Sequence, residues 1–149
     1  MKKAILCGLC LLVYTLASAQ YFSTAQLIRK ETYIDKKTVT LQSWIEYDLY
    51  LLRHGADTAG SRLPDSALFC SIYRIPYQQL RDNPSQADPY KDHPMVGLSY
   101  AQGEAYCRWR TEIYNSVPHK LWHIVYSMPS TKDLAKARKR RISCSPTEL

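Results

Sequence analysis

The stretch of residues 56–93 is rich in proline and small polar residues, and it separates two segments with helical periodicity. Proline lacks the amide hydrogen needed inside a helix or a central strand, and Asp, Asn and Ser favour turns. The composition therefore predicts a long structured loop, of the kind that is usually functional in a compact domain. Part of it is predicted to pack on the core, as a short strand or a loop, through its apolar residues: Leu68, Phe69, Ile72, Tyr73, Ile75 and Tyr77.

The residues before this loop predict a strand followed by a helix. Residues 33–40 are rich in β-branched side chains with partial alternation, which is typical of a strand. Thr40 can cap the start of a helix over residues 41–53, and Gly55 can end it. The apolar side chains of this helix recur at helical spacing: Leu41, Trp44, Ile45, Leu49 and Leu52.

Ser99 and Gln102 form the sequence pattern of a capping box. In such a box the serine hydroxyl accepts a hydrogen bond from the third helical amide, and the glutamine side chain accepts one from the serine amide. The pattern predicts a helix over residues 100–114. One side of this helix is predicted to carry Tyr106, Trp109 (or Arg110) and Ile113.

Two further elements complete the predicted order. Residues 121–128 are apolar and β-prone, which predicts a strand. Ser130 and Asp133 repeat a capping pattern and predict a short basic helix that ends near Arg141. The order strand, helix, loop, helix, strand, helix indicates an α+β fold rather than the regular alternation of a parallel βαβ fold.

The first nineteen residues have the features of a secretory signal peptide. Lys2 and Lys3 precede an apolar run, and Ala17-Ser18-Ala19 has the small residues of a cleavage site. The run is too short to span a bilayer, and no later segment is apolar for long enough. We therefore expect an exported protein whose mature part, residues 20–149, is a single domain in the periplasm, at the cell surface or outside the cell.

Three cysteines follow the predicted cleavage site, namely Cys70, Cys107 and Cys144. Export leads to an oxidising compartment, where cysteines can pair. An odd number leaves at least one thiol free or joined to another chain. The sequence leaves the pairing among the three open.

The net charge of +7 is concentrated near the C-terminus. The cluster there comprises Lys132, Lys136, Arg138, Lys139, Arg140 and Arg141. Such a cluster can bind phosphate-rich partners. It can also be a solvated helix end, where cations complement the helix dipole. For an exported protein we prefer the second interpretation and expect no nucleic-acid partner.

Three segments of the chain resemble one family. YIDKKTVT at residues 33–40 is similar to the family's YIDKYEVT, and YSMPSTKDL at residues 126–134 is similar to its YRLPTEAEW. The most specific likeness is HPMVGLSY at residues 93–100 with AYCRWR at residues 105–110, which resembles HPVVGVSW…AYCRWR. The family is that of the formylglycine-generating enzyme, or sulfatase-modifying factor, domain.

The resemblance implies a C-type-lectin-like variant of the α+β class, shortened at the C-terminus. Family members include copper-dependent oxidases that convert a sulfatase cysteine to formylglycine. Others have lost this chemistry, and some of them are components of secretion and gliding machinery.

The copper-binding cysteine pair of the family is not matched, because Cys144 is the sole cysteine of the tail. A copper(I) thiolate site needs at least two soft ligands. We expect Cys107 to be a core cysteine, since a thiol packs as a small hydrophobe. We therefore assign no catalytic, cofactor-binding or metal-ligating residue and expect no cofactor.

Other candidate ligands do not form a site by their spacing. His119 and His123 would lie about 13 Å apart on a strand, without a nearby acidic third ligand. His93 is expected in a turn and His54 at a helix end. Four aspartates fit no calcium loop and are expected to be solvated: Asp35, Asp82, Asp88 and Asp92.

Tyrosine is abundant, with 12 residues in the chain. Four lie in or near the predicted loop: Tyr73, Tyr77, Tyr90 and Tyr100. Tyrosines at an exposed loop would suit contacts with a protein or a carbohydrate, whereas the alternative is ordinary core packing.

These observations favour an exported, non-catalytic binding or assembly protein, with a protein or carbohydrate ligand at the loop of residues 56–93. The alternative is a truncated or split half of a copper-dependent formylglycine-generating oxidase. A residual oxidase using Cys107 or Cys144 is the least favoured interpretation.

Overall fold

The computed structural model describes residues 25–55, 62–118 and 123–143, with side chains to residue 139. They belong to two compact units: a hairpin unit (residues 25–37 and 129–143) and a central unit (within residues 38–128). The elements in chain order are β1 (Ala25–Arg29), β2 (Thr32–Asp35), α1 (Leu41–His54), α2 (Ser66–Tyr73), α3 (Tyr77–Asp82), α4 (Pro84–Ala87), a 3₁₀ turn (Asp88–Tyr90), α5 (Tyr100–Ser116) and α6 (Thr131–Ser143). The mixture of helices with a small sheet agrees with the predicted α+β class.

The hairpin unit pairs β1 with β2 in antiparallel register, with Leu27 opposite Tyr33 and Arg29 opposite Thr32. The register shifts between Leu27 and Arg29, so Ile28 is the extra residue of a bulge, and its side chain is buried. The prediction of a strand over residues 33–40 is therefore wrong in extent. β2 ends at Asp35, which pairs with Ala25, the first described residue of β1, and residues 36–39 form no strand.

The basic helix α6 begins at the predicted capping pattern. The Ser130 hydroxyl accepts from the Asp133 amide at 3.2 Å and donates to the Asp133 carboxylate at 2.6 Å. The same carboxylate accepts from the Ser130 amide at 3.3 Å. Arg29 forms an ion pair with Asp133 at 3.5 Å, which joins α6 to β1.

Both predicted ends of α1 are confirmed. Thr40 Oγ1 accepts a 3.3 Å hydrogen bond from the Ser43 amide, and Gly55 adopts the left-handed conformation with φ 64°. Only glycine adopts this conformation without steric cost, so Gly55 ends the helix.

The predicted apolar face of α1 is only partly right. Leu49 is half-buried and Leu52 is exposed. The face that is buried comprises Leu41, Trp44, Ile45, Tyr47 and Asp48. Asp48 lies four residues after Trp44, so a carboxylate occupies the stripe that faces the core.

The prediction of a loop over residues 56–93 is wrong for residues 62–93, which contain α2, α3, α4 and the 3₁₀ turn. The prolines lie where helices start: Pro76 is the N-cap of α3, and Pro84 is in the first turn of α4. Proline has no amide hydrogen to satisfy there, so it marks helix boundaries instead of preventing helices. Asp65 caps α2 by accepting from the Leu68 amide at 2.7 Å. Residues 56–61 lie outside the described residues.

The prediction of a strand over residues 121–128 is also wrong for residues 123–128, which have no regular structure. Side chains of α5 take the place of a neighbouring strand. Asn115 donates to the Ile124 carbonyl at 2.8 Å and accepts from its amide at 3.1 Å, and Thr111 accepts from the Tyr126 amide at 2.9 Å. The backbone groups are thereby satisfied without a ladder. Residues 121 and 122 lie outside the described residues.

The capping box of α5 is confirmed, with Ser99 Oγ accepting from the Gln102 amide at 3.3 Å and Gln102 Oε1 accepting from the Ser99 amide at 2.7 Å. On the predicted apolar side, Tyr106 is buried, Trp109 is half-buried and Ile113 is exposed. The core of the central unit is mostly aromatic and aliphatic: Leu41, Trp44, Ile45, Tyr47, Phe69, Tyr73, Tyr77, Leu80, Ala87 and Tyr106. Within the described ranges, no helix combines the length and apolar character that crossing a membrane requires.

Candidate functional site

A buried carboxylate at Asp48 joins three parts of the central unit. Its Oδ1 accepts from Arg62 Nη1 at 3.0 Å, and its Oδ2 accepts from the Tyr77 hydroxyl at 2.9 Å and from Arg81 Nη1 at 3.4 Å. Asp48 has no exposed surface, and two guanidinium groups balance its charge. Burial, followed by the negative charge of Asp48, raises the pKa of Tyr77 far above its ordinary value, so this hydroxyl stays protonated and donates.

The polar groups of this cluster are already bonded to one another. We therefore interpret the cluster as stabilising the fold rather than as binding a ligand. The Arg62 carbonyl accepts from the Trp44 indole at 3.0 Å, which is a second bond between Arg62 and α1. Sequence analysis did not identify Asp48, Arg62 or Arg81. The available signal was the position of Asp48, seven residues after Leu41 on the apolar stripe of α1.

An apolar cavity of about 460 Å³ is lined by residues of α1 and α5. The segments that precede these two helices and the irregular segment that follows α5 complete the lining. Its lining is predominantly apolar: Val39, Trp44, Met95, Leu98, Tyr106 and Met128. The Cys107 thiol also lines it, and the hydroxyl-bearing residues of the lining are Thr38, Ser99 and the tyrosines. Tyr100 stands among the lining residues with 67% of its surface exposed.

Gly103 shapes one wall of this apolar cavity. A Cβ atom at this position would lie 2.9 Å from the Met128 sulfur and 3.1 Å from its terminal methyl group. The missing side chain thus allows the thioether of Met128 to lie directly on α5. No signal in the sequence pairs Gly103 with Met128, because the contact depends on the path of the irregular residues 123–128.

Behind the apolar cavity, the aromatic rings of α1 and α5 form one cluster. Trp44 stacks on Tyr106 with ring centroids 5.7 Å apart, and Tyr47 lies 5.5 Å from Tyr106 and 5.2 Å from Trp109. Such arrangements of rings add to the stability gained by burial. The part of the cavity wall that these rings form is therefore closely packed.

A second, shallower depression of about 510 Å³ lies where α2 and α5 begin. Its polar groups already have partners. Gln102 Nε2 donates to the Leu63 carbonyl at 2.7 Å, and the Asp65 amide donates to the Gly97 carbonyl at 2.7 Å. These bonds leave the apolar cavity as the better candidate for a ligand.

The residues named from the sequence are distributed as follows. Tyr73 and Tyr77 are buried in the core, as in the packing interpretation, whereas Tyr90 is half-buried. Cys70 and Cys107 are partly buried thiols. Cys144 and His119 lie outside the described residues.

The four aspartates are exposed. Asp82 pairs with Arg81 at 2.7 Å, and Asp88 pairs with Lys91 at 2.8 Å. His93 lies in a turn, and the His93 carbonyl accepts from the Leu41 amide at 2.9 Å. In the part of the chain that the structure describes, no three His, Cys, Asp or Glu residues are grouped as for a metal ion.

The comparison with protein families decides the family. The sequence model of the Sulfatase-modifying factor enzyme 1-like domain matches residues 14–141 of the 149 residues. The chain belongs to this family. No curated protein and no solved structure matched the chain significantly.

The segments that resemble the sulfatase-modifying factor family have structural roles in this chain. The Pro94 carbonyl accepts from the Tyr73 hydroxyl at 2.6 Å, and the Met95 amide donates to the Val39 carbonyl at 2.8 Å. Ser99 caps α5, and Tyr106 enters the core. The bond between Met95 and Val39 attaches the segment of residues 93–100 to the segment of residues 33–40. Met95, Ser99 and Tyr106 also line the apolar cavity.

Proposed function

We propose that this member of the sulfatase-modifying factor family is an exported, non-catalytic binding or assembly protein. Its domain would be a C-type-lectin-like variant, and the apolar cavity would receive an apolar side chain of a protein partner. The observation that supports this function is the lining of the cavity, which places Trp44, Met95, Leu98 and Met128 around a space of about 460 Å³.

The chemistry of the lining favours a protein over a carbohydrate as the ligand. A sugar needs several hydrogen-bonding groups, whereas binding sites for apolar groups are lined mainly by hydrophobic and aromatic side chains. Met95 and Met128 are flexible and polarizable, so they adapt to different apolar side chains. Tyr100 adds a large exposed ring at this site, of a kind that is enriched in protein interfaces.

The proposal also moves the binding surface from the segment of residues 56–93 to the start of α5. Tyr73 and Tyr77 of that segment are buried in the core. Tyr100, which lies outside it, is the aromatic residue of the original group that remains open to a partner.

A peptide library displayed on phage and selected on the purified full chain tests this function. We expect enrichment of peptides that share a Leu, Phe or Trp anchor. Replacing Gly103 by Phe places a ring in the cavity and should abolish binding of the selected peptides. Ile72→Ala removes an exposed apolar side chain that lines neither cavity and serves as the matched control.

Equal binding of the selected peptides by Gly103→Phe and by the unsubstituted chain would overturn the binding site. Tight binding of copper(I) by the purified chain would instead favour the oxidase alternative. Export is tested separately, by fractionating cells that produce the chain with and without residues 1–19; retention of both forms in the cytosol would refute it.

A further inference from the structure

The net positive charge of the chain is carried by one of its two units. Residues 25–37 and 129–143 of the hairpin unit contain ten basic and three acidic residues, a net charge of +7. Residues 38–128 contain eight basic and nine acidic residues, a net charge of −1. The net charges of the two units therefore differ by eight, and the excess of cations indicates a partner of negative charge for the hairpin unit.

The cations of the hairpin unit whose side chains the structure describes lie at the surface. Those of α6 with described side chains are all exposed: Lys132, Lys136, Arg138 and Lys139. Lys30 and Lys37 of the hairpin are exposed as well, and Arg29 keeps more than half of its side chain in solvent despite its ion pair with Asp133. The positive charge is therefore available to a partner.

Large apolar side chains are exposed on the same unit. Leu27, Tyr33 and Leu134 have 42%, 47% and 49% of their surfaces exposed. Leu27 and Tyr33 are directly opposite across the hairpin, so their side chains project from the same face of the two-stranded sheet. Exposed cations together with exposed leucine and tyrosine side chains on one unit fit the interfacial region of a bilayer, where aromatic and apolar side chains enter and cations meet headgroups.

We propose that the hairpin unit is a docking surface for the anionic lipid headgroups of a membrane. The basic residues of α6 and the hairpin contact the phosphates, and Leu134 and the Leu27–Tyr33 pair enter the interface. This binding is peripheral and independent of the apolar cavity of the central unit. The exposed apolar side chains distinguish a membrane from a nucleic acid, which would be bound mainly by the cations.

Co-sedimentation of the full chain with lipid vesicles tests this proposal. The vesicles contain phosphatidylcholine either alone or mixed with phosphatidylglycerol. The apolar run of residues 4–16 is common to all variants, so the readout is the difference between anionic and neutral vesicles. We expect strong binding to the anionic vesicles only, weakening as salt screens the charges.

Two sets of four substitutions with the same change of charge provide the comparison. Four exposed cations of α6 are replaced in one variant: Lys132→Gln, Lys136→Gln, Arg138→Gln and Lys139→Gln. Four exposed cations of the central unit are replaced in the control: Arg53→Gln, Arg74→Gln, Lys91→Gln and Arg108→Gln. The first set should weaken binding to anionic vesicles by at least about 100-fold and the second by less than about threefold.

Leu134→Ser tests the apolar contribution and should weaken vesicle binding by about tenfold. Equal losses from both sets of four substitutions, or no preference for anionic vesicles, would overturn the proposal. So would displacement of the chain from vesicles by an equal amount of duplex DNA together with no effect of Leu134→Ser, which would identify a nucleic acid as the partner.

Discussion

The hydroxyl of Tyr77 donates a 2.9 Å hydrogen bond to Oδ2 of Asp48, a carboxylate without exposed surface. The two residues are separated by 29 positions, so this bond attaches α3 to α1. Arg62 and Arg81 approach the same carboxylate and supply the opposite charge. The charged pairs and the hydroxyl together allow a charge to be buried beside an apolar core.

Removing the Tyr77 hydroxyl should destabilise the central unit. Tyr77→Phe keeps the buried ring and deletes one donor to a charged acceptor, which should lower the free energy of unfolding by about 2 kcal/mol. Denaturant unfolding measures the change. Tyr100→Phe, at a largely exposed ring, is the control and should change stability by less than about 0.5 kcal/mol. A Tyr77→Phe variant as stable as the unsubstituted chain would contradict the role of this bond.

The raised pKa of Tyr77 predicts how stability depends on alkaline pH. The unfolded chain releases this proton near the ordinary tyrosine pKa of 10.0, whereas the folded chain retains it. The stabilising contribution is therefore complete below pH 10 and is lost as the pH rises above it. Between pH 10 and 11 the free energy of unfolding should fall more steeply than in Tyr77→Phe, by up to about 1.4 kcal/mol per pH unit.

Ultraviolet absorbance of tyrosinate provides the second measurement for this prediction. Burial also raises the pKa of Tyr47 and of Tyr73, so more than one tyrosine should ionise late. Tyr77→Phe should remove one of the late-ionising groups. A variant that instead loses the absorbance of one tyrosinate near pH 10 would show that Tyr77 ionises normally and would contradict the buried bond to Asp48.

Gly97 and Gly55 form a matched pair for testing backbone constraints. Both have positive φ, 77° and 64°, but only at Gly97 would a Cβ meet the backbone of Asp65, at 3.0 and 3.1 Å. Gly55→Ala should cost about 1 kcal/mol from the left-handed conformation alone. Gly97→Ala adds the steric conflict and should cost about 3 kcal/mol. Thermal and denaturant unfolding of the two variants measure the difference, and equal costs would refute the close approach.

The contact between Gly103 and Met128 can be measured by a double-mutant cycle. Alanine is favoured over glycine inside a helix by up to about 1 kcal/mol, but here its Cβ must displace the Met128 thioether. Gly103→Ala should therefore be close to neutral in the unsubstituted chain. In a Met128→Ala background the same change should stabilise by about 1 kcal/mol. A stabilisation of the same size in both backgrounds would show that Met128 does not lie on α5.

Local chemistry is what the sequence predicts well in this chain. The caps at Thr40, Ser99 and Ser130 and the stop at Gly55 agree with the structure because each depends on groups within three or four residues. The family could also be recognised from the segments at residues 93–110, which the comparison confirmed. Periodicity identified α1 and α5, whose apolar residues recur at helical spacing.

The sequence did not predict which distant segments contact one another. Residues 123–128 are β-prone but form no strand, because Asn115 and Thr111 of α5 satisfy their backbone. Residues 62–93 contain short helices despite their prolines, since these prolines mark helix starts and core contacts stabilise the helices.

The sequence by itself determined the starts of α1, α5 and α6, the end of α1, the family and the basic character of the last helix, since these depend on neighbouring residues or on composition. The tertiary structure alone decided that Asp48 is buried with Arg62 and Arg81, and that Met128 covers Gly103 in the apolar cavity. A charge or a glycine has the same local propensity wherever it stands. Its energetic role is set by the groups that folding brings within a few ångströms, and these come from distant parts of the chain.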